Sequence, residues 1–312
     1  MDGQNAQLGW NDGQWGKVYQ AVTDEVSRVN VAGAFLPCCG PLSRSAEVVR
    51  REAVKEGNPD FISVDNIETI KLWTLAVHVQ LKNEQLADEN LSGALLAFRR
   101  AANLLARTED AIVFRGLPRK DPTRDQLNAI GVPVQCRVTS GEKAKGLARA
   151  GGLPDGLSYD DDPPNTPPVQ PHPNAIPPGS YGRALVRRIA EAIAALESQG
   201  HLGPFACVLG NDAFVQAHTP DANSLVLPRD RMAPLLEGPI LRSGTMRPGE
   251  VVVVSLAGDP IDLVVATAPT VQFLNVTDEA RYMFRVYERF TLRIKEQNAV
   301  TAFWLGNLTP DT

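Results

Sequence analysis

Apolar positions recur at helical spacing most regularly between Leu91 and Gly116, in the stretch LSGALLAFRRAANLLARTEDAIVFRG. Leu91, Leu95, Phe98, Ala102 and Leu105 follow one another at steps of four and three, which places them on one face of an α-helix. Ala94, Ala101 and Leu104 widen the stripe, while Arg99, Arg100, Asn103 and Arg107 fall mostly on the other side. The striped part, from Leu91 to Arg107, spans about 25 Å at the usual rise per residue. Glu109 and Asp110 read as its polar end, open to pairing with a basic neighbour.

Two further stretches carry the same period. Gln14 to Val31 lines up Trp15, Val18, Tyr19, Val22, Val26 and Val29, with Gly33 as the expected stop. Arg183 to Gln199 sets Leu185, Ile189, Ile193 and Leu196 in register, and Gly200 ends it. A shorter helix is expected at Arg231 to Leu236. Strand patterns frame these helices. Ser43 to Leu75 opens charged (Arg44, Glu47, Arg50, Arg51, Glu52, Lys55, Glu56) and then partly alternates from Phe61 to Asp65 and from Ile67 to Leu75. Two strands cannot bury a face alone, so this arm is either a plain surface hairpin or half of a contact with a neighbouring subunit. Phe205 to Leu209 reads as a buried strand. From Glu250 onward strands are expected at Val251 to Leu256, Leu263 to Ala266 and Val271 to Leu274, with turns at Gly258-Asp259-Pro260 and at Pro269. Tyr282 to Lys295 alternates as a long half-buried strand, and Val300 to Leu305 returns after a turn at Glu296 to Ala299.

Composition narrows the class without naming a function. A chain of 312 residues, 43% hydrophobic and 21% charged, is ordinary for a soluble globular protein. No apolar run is long enough to cross a bilayer, and the opening MDGQNAQLGW lacks the basic and apolar regions of a secretory signal. A net charge of −5 gives no reason to expect nucleic acid as a partner. Cys38, Cys39, Cys136 and Cys207 show no C-x-x-C spacing, as expected of reduced cytosolic thiols. His78, His172, His201 and His218 are scattered. Gly141 and Gly146 are followed by Leu147-Ala148, where a phosphate-binding loop needs Lys and Ser/Thr. Glu109 and Asp110 are adjacent and cannot both face one substrate. No catalytic, metal or cofactor site is expected.

The run Glu109-Asp110-Ala111-Ile112-Val113-Phe114-Arg115-Gly116 resembles the segment that closes the spine helix of encapsulins, nanocompartment shell proteins related to tailed-phage major capsid proteins. Further landmarks follow in the family's order: Trp15, Gly33, Gly40-Pro41-Leu42, Gly203-Pro204-Phe205, and FRVYERFTLRIK from Phe284 to Lys295. The resemblance covers roughly residues 14–116 and 183–305. It implies an α+β phage major-capsid fold of the Hong Kong ninety-seven type, with spine helix, extended E-loop, peripheral domain and axial domain. The implied divisions are 1–42 (N-terminal helix and part of the peripheral domain), 43–75 (E-loop arm), 76–116 (peripheral domain with spine helix), 117–153 (insertion and crossover), 154–181 (proline-rich loop), 182–249 (axial domain) and 250–312 (shared strands and C-terminus). Such a chain would be a shell protomer of a cytoplasmic icosahedral compartment, not an enzyme, with itself and a cargo protein's terminal peptide as partners. The cargo groove would draw walls from Val22, Val26, Val29, Phe35, Val271 and Phe273. Some relatives carry a flavin-associated tryptophan; the matching position falls near Leu81, so no flavin is expected. The alternative is a prophage capsid protein of the same fold. Such chains commonly carry a scaffolding region, for which the residues before Gln14 leave no room. A third reading is an enzyme, since members of the family have at times been labelled bacteriocins or proteases.

Overall fold

The computed structural model describes residues 8–43, 45–58, 61–117, 122–153, 180–221 and 224–305. The expected proline-rich loop, with Asp160-Asp161-Asp162 and His172, lies outside the described residues apart from Ser180 and Tyr181. In chain order the elements are helix α1 (Asp12–Val29), a 3-10 turn (Ala32–Ala34), strands β1 (Cys38–Cys39), β2 (Val48–Asn58), β3 (Phe61–Lys71) and β4 (Trp73–Leu81), and helices α2 (Asn83–Ala87) and α3 (Ser92–Arg115). There follow β5 (Gly116–Leu117), α4 (Arg124–Ala129), β6 (Cys136–Ser140), β7 (Ala144–Lys145) and α5 (Leu147–Ala150). The remainder is α6 (Tyr181–Ser198), β8 (Phe205–Leu209), α7 (Asn211–Ala217), α8 (Pro228–Leu236), β9 (Glu237–Arg242), β10 (Glu250–Ser255), β11 (Ile261–Val276), β12 (Tyr282–Ile294), a second 3-10 turn (Gln297–Ala299) and β13 (Val300–Trp304).

The main body is a five-stranded sheet in the order β1-β11-β12-β4-β6, covered by α3 and α1. Helix α1 begins at a capping box in which Asn11 and Gln14 bond each other's backbone amides at 2.9 and 3.0 Å. It stops at Val29, before Gly33, because Asn30 turns the chain and its Oδ1 accepts the Gly33 amide at 2.7 Å. Trp15 and Phe98 meet Trp10 and Phe284 in an aromatic nest, with centroids 5.0 Å apart for Trp10–Trp15 and 5.3 Å for Phe98–Phe284.

Helix α3 is longer than its stripe suggests: its 24 residues reach about 36 Å. Leu91, Phe98, Ala102 and Leu105 are fully buried, as the spacing implies, and Leu95 is half-buried. Beyond Leu105 the helix enters the core, and Thr108 through Phe114 are buried without interruption. Glu109 and Asp110 are therefore not at a helix end, and neither has a basic partner among the described residues: Glu109 accepts from the Asn30 amide and Asp110 from the Val31 and Ala32 backbone N–H groups. The helix ends at Gly116 (φ +75°), where a Cβ would stand 2.3 Å from the Ala144 carbonyl oxygen.

The second sheet, β13-β10-β8-β9, is buried on both sides. Ala206, Val208, Val252 and Val254 belong to the main core, whereas Phe205, Cys207, Leu209, Val251 and Val253 face a second core beneath α6, α7 and α8. This double burial is why Glu250 to Ser255 reads as an unbroken apolar run. Helix α6 buries Leu185, Ile189, Ile193 and Leu196 and closes on Gly200 at φ +87°.

Two expected strand arrangements are corrected. Pro269 makes no turn: β11 runs continuously past it, since register shifts between Val265 and Thr270 absorb the residue that cannot donate. The returning strand β13 does not lie on β12 but crosses into the other sheet, with Val251 opposite Phe303 on β10. Strand β6, in the stretch read as an insertion, pairs with β4 at the edge of the main sheet.

Candidate functional site

Strands β2 and β3 form a separate two-stranded sheet, paired from Val48–Lys71 to Asn58–Phe61, that extends about 35 Å at 3.3 Å per residue. No other described strand pairs with it. Its root is pinned by main-chain and arginine contacts. The Leu72 amide donates to Glu47 O at 3.0 Å, and Arg289 Nη2 on β12 donates to Ala46 O at 2.7 Å. Arg51 and Glu68 face each other across the hairpin at 3.2 Å. On β12, Arg293 makes a two-pronged contact with Asp262 at 2.9 and 2.5 Å, and the Asp262 carboxylate holds that guanidinium above its usual pKa. The sequence carried a signal for this that the strand reading passed over: Arg285, Arg289 and Arg293 recur every fourth residue, on the polar face of β12. Val48 (46% exposed) and Val64 (62% exposed) remain uncovered on the arm.

A second uncovered surface lies on α7, α8 and the segment between them. Val215, Leu225, Val226 and Leu235 are exposed there, beside a packed trio of Phe214, His218 and Arg242. His218 Nδ1 lies 2.9 Å from the Phe214 carbonyl, so it is tied to its own helix. His201 sits at the exit of α6, where its Nδ1 is 3.7 Å from Glu296.

The candidate groove residues point inward. Val22, Val26 and Phe35 from the α1 region and Val271 and Phe273 from β11 are all buried in the main core, and Phe273 packs 5.4 Å from Phe284. Val29 alone of the set is half-buried against that core. Helix α1 and β11 are in contact, while Phe35 stacks on Phe114 of α3 with ring centroids 6.4 Å apart.

Burial pushes the Cys136 thiol to about 11 and the Cys207 thiol to about 12, so neither is a thiolate at neutral pH. No group of three or more His, Cys, Asp or Glu side chains among the described residues is arranged to hold a metal ion. A cleft of about 350 Å³ opens at the arm root, between Arg51 and Glu68 on one side and Lys145, Arg149 and Leu292 on the other. It mixes both charges with apolar wall, and no described Ser, Thr, Cys or His lines it. No helix of the described residues is long and apolar enough to cross a membrane.

Comparison with known proteins agrees with this geometry. The family described as "encapsulating protein for peroxidase" matches residues 169–291. A type 1 encapsulin shell protein, EncA of Myxococcus xanthus, is 32% identical over 123 residues, which are 39% of this chain and 41% of that relative. The match therefore spans less than half the length of either protein. A virus-like particle protein from Pyrococcus furiosus superposes with a TM-score of 0.63 over 93% of this chain and 99% of its own, at 15% identity. The capsid protein of Myoviridae phage XM1 gives 0.53 over 88% and 91%, at 13% identity. The fold is that of tailed-phage capsid proteins and encapsulins.

Proposed function

We propose that this chain, with a capsid-type fold along nearly its whole length and an encapsulin-like segment within it, is a shell protomer that self-assembles into a closed icosahedral compartment. The observation that carries the reading is the arm. None of the described side chains of this long two-stranded sheet is buried, and it is anchored at its root by hydrogen bonds rather than by a core. Such an element gains stability only when a neighbour covers it, and closed symmetry lets every copy give and receive the same contact. The exposed apolar residues of α7 and α8 supply a second surface of the same kind.

In this reading the protein acts by enclosure in the cytoplasm, with no reaction of its own. Its cargo is an enzyme bearing a terminal peptide, in keeping with the peroxidase named in the matching family. The peptide docks along the α1–β11 seam. There Val22, Val26, Phe35, Val271 and Phe273 shape the floor, and Val29 offers a reachable apolar contact. Val29→Glu is expected to abolish cargo retention while shells still form, read by co-purification on a sizing column. Retention at the unsubstituted level would move the docking site elsewhere. A prophage capsid has the same fold, so the deciding test is electron microscopy together with the ratio of ultraviolet absorbance at 260 and 280 nm. Uniform closed particles free of nucleic acid support the compartment. Particles that form only around nucleic acid support the capsid.

A further inference from the structure

The buried carboxyls are the part of the molecule that enclosure does not explain. Glu109, Asp110 and Glu288 are 5%, 2% and 3% exposed, at the junction of α3, the turn after α1, and β12. Asp110 is satisfied by two backbone donors, Val31 N at 3.0 Å and Ala32 N at 2.9 Å. Glu109 takes the Asn30 amide at 2.5 Å and lies beside the buried Glu288 carboxyl, each within reach of the other's charge. Glu288 Oε1 is buried without a hydrogen-bond partner among the described residues. Two carboxylates cannot bond each other unless one carries a proton, and a buried anionic oxygen with no donor would be strongly disfavoured.

Among the described residues, the surrounding elements place no cation against these carboxyls. The 3-10 turn presents backbone amides, and β1 presents the Cys38 thiol, which feels the Glu109 charge. Strand β6 presents Cys136, which feels Glu288. Strand β4 presents Leu75 and Val77 to the core, with His78 on its exposed side. Arg124 is turned to the Val132 and Cys136 carbonyls at 3.0 and 3.3 Å. Thr108 on α3 donates to Leu104 O, and the buried Thr291 hydroxyl on β12 has no partner.

We propose that Glu109 and Glu288 share a proton that latches the spine helix to β12, so that the folded chain, and any shell built from it, loosens as the medium becomes alkaline. Desolvation accounts for the direction: Glu109 is pushed up to about 7 and Asp110 to about 8, and Glu288 lies well above the usual carboxylate range. In the unfolded chain these groups titrate as ordinary carboxyls. Between roughly pH 4 and 8 the native state therefore holds more protons than the unfolded one, and stability falls as pH rises. The contribution is complete below the unfolded values and gone once the folded groups ionise. This is opposite to acid unfolding driven by ion-paired carboxylates.

The test is the pH dependence of denaturant unfolding of the intact chain from pH 5 to 9, beside Glu288→Gln and Glu109→Gln. Each titrating carboxyl contributes up to about a tenfold change in the folded-to-unfolded ratio per pH unit. The unsubstituted protein is expected to weaken toward pH 9, and each variant to lose about one such tenfold-per-unit step. Profiles that stay parallel in both variants would overturn the latch. Because a variant could fail to fold, infrared spectroscopy of the unsubstituted protein provides an independent reading. A protonated-carboxyl carbonyl band at pH 6 that disappears by pH 9 is expected, and its absence at pH 6 would also overturn the proposal. Neither readout depends on particle formation, so failure of the shell reading and failure of the latch are distinguishable.

Discussion

The spine helix and the arm are built from similar lengths of chain and end in opposite situations. Helix α3 finds every partner it needs within the molecule: α1, β4 and β12 surround it, and its last turns are buried on all sides. The β2–β3 arm has comparable reach, but among the described residues it has no second layer. One element is stabilised by its own fold. The other, in the proposed assembly, is completed by a neighbour. Substitutions in α3 should therefore register in the folding of a single chain, and substitutions in the arm should register only between chains.

The largest expected effect is at Phe98, fully buried in the aromatic nest. Phe98→Ala should remove about 3–5 kcal/mol of folding stability, measured by denaturant unfolding. A loss below about 1 kcal/mol would mean that the nest is not the centre of the core. Gly116→Ala comes next, because it places a side chain at positive φ against the Ala144 carbonyl and the Gly146 amide, a cost above 1 kcal/mol by the same measurement. Arg289→Ala removes the hydrogen bond to Ala46 O at the arm root. It should cost the isolated chain about 1 kcal/mol or less and lower the yield of particles on a sizing column. Val64→Ser on the exposed arm should leave chain stability unchanged within about 0.5 kcal/mol, while raising the concentration of chain needed for assembly. If Val64→Ser instead destabilised the lone chain, the arm would have a partner on its own body and the contrast would collapse.

The spine was legible in the sequence for the reason that makes it self-sufficient. One-sided burial imposes a period, and Leu91, Phe98, Ala102 and Leu105 display it. The period fails where burial becomes complete, and there the reading misplaced Glu109 and Asp110 at a helix end. Polar residues inside an apolar run look like a boundary until the backbone amides of Val31 and Ala32, nearly 80 positions away in sequence, are seen to hold them. The arm was legible as a strand pair without a second layer, but its bounds were not: the charged run Val48–Asn58 carries no strand pattern yet is β2, and Trp73 to Leu75, read as part of the arm, lie on β4 of the main sheet. Likewise β13 was recognisable as a strand, yet nothing local distinguishes folding back on β12 from crossing to β10. The groove residues show the limit from the other side. Val22, Val26 and Phe273 have the apolar character a docking wall needs, and a packed core needs the same character.

The most direct test is sedimentation velocity on two proteins side by side: the intact chain, and a version in which residues 50–69 are replaced by a short Gly-Ser turn. The account predicts that the intact chain sediments as a single large closed species. The shortened chain should sediment as small oligomers with an unchanged circular-dichroism unfolding midpoint. A shortened chain that still forms the large species, or an intact chain that never does, would contradict the claim that the arm works only between copies.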